Sequence, residues 1–178
     1  AYIFGLLLGW RLMRHLVARS PVVADDAAVD DFLIWATLGV VLGGRLGYVV
    51  FYNAGYYVEN PLSIFAVWRG GMSFHGGLLG VMAATMLFCR KRGMELGPFA
   101  DRVACVAPLG LFFGRLTNFI NGELCGRATD VPWAVVFPRG GPDPRHPSQI
   151  YEALGEGAIL FAVLLWLAGK EGPRRRTG

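Results

Sequence analysis

The chain has 178 residues, is 54% hydrophobic, has a mean hydropathy of +0.44 and holds only 17% charged residues. Ordinary soluble domains hold about 25% charged residues, so this deficit excludes an average water-soluble domain and points to a membrane protein. The net charge of +4 gathers at the ends of apolar runs, which reads as a topology signal and not as a nucleic-acid surface.

The fold class expected is an all-α polytopic transmembrane bundle of about five spans, forming a single integral membrane domain over residues 1–178. Span one covers residues 1–17 and ends in Arg11, Arg14, His15 and Arg19. The chain opens at Ala1, without a methionine, already inside an apolar run, and reads as a fragment with no cleavable signal peptide. Residues 20–31 carry Asp25, Asp26, Asp30 and Asp31 and read as a soluble loop. Span two covers residues 32–50, long enough to cross about 30 Å of hydrocarbon, with one charge, Arg45. Within it Gly39, Gly43 and Gly47 recur every fourth residue and make a smooth packing face. Tyr48, Phe51, Tyr52, Tyr56 and Tyr57 follow as an interfacial aromatic belt.

Residues 53–74 read as a loop, re-entrant in one reading. Span three, residues 75–89, is short, which implies either tilt or irregular backbone ahead of it held within the protein. It stops at Arg90, Lys91 and Arg92. Span four covers residues 99–120, with Pro108 expected to kink it. Residues 121–148 form a Gly- and Pro-rich loop. Span five covers residues 150–168 and ends in Lys170, Arg174, Arg175 and Arg176. The three cysteines, Cys89, Cys105 and Cys125, have no paired spacing, so neither a disulfide framework nor a zinc site is expected.

The ends of spans one, three and five carry eleven Lys and Arg against four in the opposite loops, so the basic side is expected to be cytoplasmic. The polar motifs then fall at the outer leaflet. Intramembrane ionised side chains are costly and usually face a protein interior with a function. Arg115 and Asn118 are three apart and Gly122 four further on, which places all three on one helix face. A cation, an amide and bare backbone suit an anion such as phosphate. The outward ends of the spans bring together His75, Arg115, Asn118, Asn121, Glu123, Arg127, Arg145 and His146. An arginine fork binds phosphate at two points and favours a phosphate leaving group. A histidine can take a proton from a nucleophile. The set suggests group transfer from an anionic, membrane-resident substrate. Blander readings stand beside it. His75 between glycines is also a turn residue, Arg145-His146 between prolines is also a rigid loop, and Glu152 and Glu156 can simply pair with Arg45 or Arg115.

Four motifs carry a resemblance. They are Gly43-Gly44-Arg45-Leu46-Gly47-Tyr48, Gly70-Gly71-Met72-Ser73-Phe74-His75-Gly76-Gly77, residues 114–127, and Arg145-His146-Pro147-Ser148-Gln149-Ile150-Tyr151-Glu152. From residue 2 to about 167 the chain resembles the prolipoprotein diacylglyceryl transferase family. The resemblance implies a multi-pass bacterial inner-membrane enzyme with its active site toward the outer leaflet. Its partners would be phosphatidylglycerol, the lipobox cysteine of a prolipoprotein and membrane lipids, with no nucleic acid, and it would act as a monomer. It would move the diacylglyceryl group to the cysteine thiol and release glycerol 1-phosphate, with no metal or organic cofactor. The residues implied as catalytic are His75 (a candidate base), Arg115, Asn118, Tyr2 and Glu123. The headgroup would be bound by Arg115, Asn118, Asn121, Gly126, Arg127 and His146.

Three departures accompany the resemblance. Thr117 stands where the family has glycine, and Cys125 where it has tryptophan. The family's chain also continues past span five with a helix whose arginine and glutamate act in the site. That implies weak or absent turnover by residues 1–178 alone and leaves, as alternatives, a non-catalytic phospholipid-binding module and, less in keeping with polar groups at one end, a small-solute transporter.

Overall fold

The computed structural model describes residues 2–19 and 22–169, with the Tyr2 side chain outside the description. The basic end expected for span five (Lys170, Arg174, Arg175 and Arg176) lies outside the described residues. These form seven α-helices: α1 (Tyr2–Val17), α2 (Asp26–Tyr52), α3 (Ala54–Glu59), α4 (Phe74–Arg92), α5 (Leu96–Asn121), α6 (Ser148–Glu152) and α7 (Leu160–Gly169). Two 3-10 turns, Pro61–Phe65 and Val67–Arg69, connect α3 to α4, and a π segment, Ala153–Ile159, makes Ser148–Gly169 one continuous helical run. Among the described residues there are no strands, only isolated bridges from Arg145 to Ala128 and Val135.

Three helices are long and apolar enough to cross a membrane: Asp26–Tyr52, Leu96–Asn121 and Ser148–Gly169. The helices over the expected first and third spans have 16 and 19 residues and are not among them. Length and composition thus support three of the five expected spans. The large apolar side chains left exposed along α2, such as Ile34, Leu38, Leu42 and Leu46, are those a lipid-facing helix presents.

The chain divides into two compact units, residues 22–100 and residues 101–178 with 1–21. In the first, α2 begins six residues earlier than its apolar run suggests. Asp25 caps it by accepting the Ala28 N–H at 2.8 Å, and Asp26 sits in the first turn, where a carboxylate is favoured by the helix dipole. The acidic residues expected in a soluble loop are therefore helical from Asp26 onward. α4 is capped by Ser73 and closed by Gly93 in the left-handed conformation, with Arg90, Lys91 and Arg92 in its last turn.

α2 and α4 pack closely through the predicted glycine face. An added Cβ on Gly39 would lie 2.6 Å from the Gly80 carbonyl oxygen, and one on Gly47 2.8 Å from the Gly76 Cα. Phe32, Phe88 and Phe99 fill the end of this unit, with ring centroids 5.0–5.7 Å apart, and an Asp31–Arg92 ion pair joins α2 to α4 there. In the second unit α1 lies against α5, with Gly5 on the Phe113 ring and Gly9 on Val106. Gly157 in the π segment admits the Phe112 side chain and backbone in the same way. Pro108 is fully buried inside α5, which runs unbroken through it.

Candidate active site

The last turn of α5 carries the polar residues. The helix stops because Gly122 takes a left-handed conformation (φ 68°), which lets the Glu123 N–H return to the Asn118 carbonyl at 2.9 Å. Arg115 lies two turns before this end. Its Nη2 meets Glu152 Oε2 at 2.6 Å, an ion pair between α5 and α6. Of the two partners open to Glu152 from sequence, it takes Arg115. Asn118 Nδ2 points at Glu123 Oε2 over a long 3.4 Å, and Arg139 reaches the other oxygen of Glu123 at the same distance. Thr117 turns its hydroxyl back to the Phe113 carbonyl at 2.9 Å, so its polar group is used by its own helix.

The loop after α5 folds back on itself. Gly126 N–H donates to the His146 carbonyl, and His146 N–H donates to the Arg127 carbonyl. A Cβ on Gly126 would lie 2.8 Å from the His146 oxygen and 2.9 Å from the His146 Cβ, so only glycine allows this approach. Arg145 spans the loop, donating to the Gly140 and Gly126 carbonyls at 2.8 and 3.2 Å. These bonds tie Arg145 to the backbone of its own loop. His146 Nδ1 lies 3.1 Å from the Tyr151 hydroxyl, which also accepts from Trp133 Nε1 at 2.6 Å.

Leu124 is the one non-glycine with positive φ (55°) among the described residues. Such backbone persists where its surroundings over-determine it, and here they do. Ser148 Oγ donates to the Leu124 carbonyl at 3.0 Å, and Gln149 Nε2 donates to the Glu123 carbonyl at 2.6 Å. Gln149 is 1% exposed. The reading of candidate residues from sequence did not include Gln149, Tyr151 or Glu152 among them. The signal available was the Arg145–Glu152 motif itself, of which Ser148, Gln149 and Glu152 bond α5 or the residues just after it.

The second unit thus gathers Arg115, Asn118, Glu123, Gly126, Arg127 and His146 around the end of α5, the loop and α6. Asn121, the last residue of α5, and Arg127 are exposed beside them. Tyr2 opens α1, with its side chain outside the description. His75 belongs to the other unit, as the second residue of α4. Its imidazole is exposed and stands edge-on to Phe74 at 5.7 Å. Among the described residues no group of three or more His, Cys, Asp or Glu side chains could hold a metal ion. The site offers cations, amides and backbone N–H groups, the chemistry that binds an oxyanion.

Apolar helices able to cross a membrane, with a polar cluster at the end of one of them, define an all-helical membrane protein. The sequence pattern of the family described as prolipoprotein diacylglyceryl transferase matches residues 1–178, and the chain belongs to that family. A phosphatidylglycerol–prolipoprotein diacylglyceryl transferase of Rhodospirillum rubrum is 66% identical over 170 residues, covering 93% of this chain and 62% of that protein. Proteins of the same name from Paramagnetospirillum magneticum and Gluconacetobacter diazotrophicus are 61% and 57% identical, each across all of this chain and 66% and 64% of their own lengths. The chain therefore spans a little under two thirds of these relatives. All three carry a transferase name.

Proposed function

We propose that this chain supplies the headgroup-binding and proton-accepting parts of a phosphatidylglycerol–prolipoprotein diacylglyceryl transferase. In this reading the sulfur of the lipobox cysteine attacks the glycerol carbon of the diacylglyceryl group. The bond from that carbon to the phosphate oxygen breaks, a thioether forms, and glycerol 1-phosphate leaves. The thiol proton passes to a base, for which His75 is the candidate. Arg115 binds the phosphate and stabilises the charge that grows on it as the bond breaks. Asn118, Asn121 and Arg127 hold the glycerol and phosphate oxygens. Glu123 orients Asn118, and Gly126 leaves room for the loop that presents His146. The Tyr2 role implied by the resemblance belongs to the same proposal.

The finer placement is proposed with it. The chain forms a single domain with about five spans in the bacterial inner membrane, acts as a monomer, and turns this cluster toward the outer leaflet. The basic residues at the ends of spans one, three and five support that orientation.

The observation that carries the reading is Arg115 near the end of a membrane-length helix. One of its nitrogens is held by Glu152, and its remaining donors have no protein partner among the described residues. The test reconstitutes residues 1–178 with phosphatidylglycerol or phosphatidylethanolamine. It measures lipid binding and transfer of label to a lipobox peptide on the same preparation. Preferential binding of phosphatidylglycerol that disappears in Arg115→Ala is the expected result, with any transfer lost in both Arg115→Ala and His75→Ala. Equal binding of the two lipids by wild type would overturn the headgroup assignment.

A further inference from the structure

The candidate site leaves one buried charge in the other unit without a role. Arg45 lies inside α2, 4% exposed. All five of its N–H donors are taken by backbone carbonyls of the two 3-10 turns and the glycines after them. Nε donates to Ile64 at 2.8 Å, Nη1 to Gly70 and Gly71 at 2.6 and 3.2 Å, and Nη2 to Ser63 and Ala66 at 2.7 and 3.2 Å. A guanidinium has five donors and no acceptor. Arg45 therefore has nothing left with which to bind a substrate anion, although its charge and position in a glycine-rich motif suggest that use. Its work is on the backbone. Residues 63–71 have no ladder partner, and carbonyls in such a segment need a donor inside the protein when water is scarce.

That segment leads straight into the start of α4. Gly70 and Gly71 both take positive φ (81° and 78°), and an added Cβ on Gly71 would sit 2.7 Å from the Tyr48 ring and 3.0 Å from Arg45 Nη1. Two residues on, Ser73 N–H donates to the Gly44 carbonyl at 2.9 Å, and Ser73 Oγ accepts the Gly76 N–H at 3.2 Å. Gly76 in turn is pressed against the backbone of Gly43 and Gly47. His75 sits between these two anchors. Its backbone is fixed on α2 from both sides, while its imidazole is exposed and makes no hydrogen bond among the described residues.

We propose that Arg45 is a positioning residue for His75. It ties residues 63–71 into one conformation, so that the first turn of α4 delivers the imidazole at one place. The proposal rests on the reading of His75 as the base and gives Arg45 no contact with substrate. Lysine keeps the charge but is a point donor that cannot reach five carbonyls in a plane, so Arg45→Lys separates charge from geometry.

The test has two arms on the reconstituted protein. In the first, amide hydrogen exchange is followed in wild type, Arg45→Lys and Gly71→Ala, the last loosening the same turn with the guanidinium retained. Exchange in residues 63–77 is expected to speed up about tenfold or more, with residues 80–92 unchanged. Unchanged exchange, or acceleration spread over all of α4, overturns the proposal. In the second arm, Arg45→Lys is expected to lower kcat for transfer about tenfold with KM for phosphatidylglycerol held within about twofold. A raised KM with kcat unchanged overturns it. Full transfer by His75→Ala alone would end the reading of His75 as base, while the exchange arm would still decide whether Arg45 orders the turn.

Discussion

Arg115 and Glu152 meet at 2.6 Å between Nη2 and Oε2, with side chains 28% and 34% exposed. The pair fixes one edge of the guanidinium and leaves its other donors for a second anion. It also marks the point where the α6 run widens into the π segment that begins at Ala153, a feature frequent at functional sites.

Charge and geometry at this pair are separable. Glu152→Gln keeps the shape and an acceptor but removes the competing negative charge. Binding of phosphatidylglycerol is expected to tighten about two- to fivefold, while kcat falls because the fork is less firmly aimed. Arg115→Ala is expected to lose about 1.5–3 kcal/mol of headgroup binding, the usual range for a hydrogen bond to a charged group. Titration with lipid nanodiscs checks both, and weaker binding in Glu152→Gln would show that the carboxylate aids the anion and does not compete with it.

The glycine face between α2 and α4 makes a stability prediction with an internal control. A Cβ on Gly43 would run into the Gly76 carbonyl oxygen, and one on Gly80 into the Gly39 carbonyl oxygen. These are backbone atoms that cannot rotate away, so Gly43→Ala and Gly80→Ala should each destabilise by about 1–3 kcal/mol or more. Gly110, inside α5, has nothing within 4 Å of an added Cβ. Gly110→Ala should be neutral or stabilising by up to about 1 kcal/mol from helix propensity. Reversible unfolding in mixed micelles measures all three, and equal effects would refute the close packing.

Gly126→Ala should impair the site without touching substrate. The new methyl would lie 2.8 Å from the His146 carbonyl oxygen and 3.4 Å from the Ser148 Cβ. Relief requires residues 146–148 to shift, and Ser148 and Gln149 hold the carbonyls of Leu124 and Glu123. A displacement of this kind costs about a hundredfold in a positioned reaction. Transfer is expected to fall by about that much, with the unfolding midpoint little changed, and a variant with full transfer would remove Gly126 from the site.

Much of this was legible because the decisive residues sit in short patterns with one physical use. The Gly39, Gly43 and Gly47 spacing announces a helix contact, and that contact is present. Arg115 and Asn118 on one face of a helix end were equally readable. Other features needed coordinates. Asp26, Asp30 and Asp31 look like a solvated loop, since composition does not distinguish acidic residues in water from those in the first turns of a capped helix. The choice of Glu152 between Arg45 and Arg115 shows only once Arg45 is seen to spend its donors on backbone carbonyls while Arg115 faces Glu152. Arg45 looks like an unpaired intramembrane charge until five backbone carbonyls are found around it. Gln149 looks like a loop amide, and only its burial and its bond to the Glu123 carbonyl show that it holds the backbone beside Leu124.

The orientation of the site can be read with the three native cysteines. Cys89 and Cys105 are buried, at 1% and 5% exposure, whereas Cys125 is half-buried in the loop after α5, beside Gly140. In the proposed orientation, with the basic residues on the cytoplasmic side, that loop lies on the outer side. A membrane-impermeant maleimide added to intact spheroplasts should therefore label Cys125 and spare the other two, which react only after denaturation. Cys125→Ser should abolish the signal. Labelling of Cys125 only in inverted vesicles would place the loop in the cytoplasm. An outer-leaflet site would then be untenable, because Arg127, Arg145 and His146 share the loop with Cys125 and would move with it.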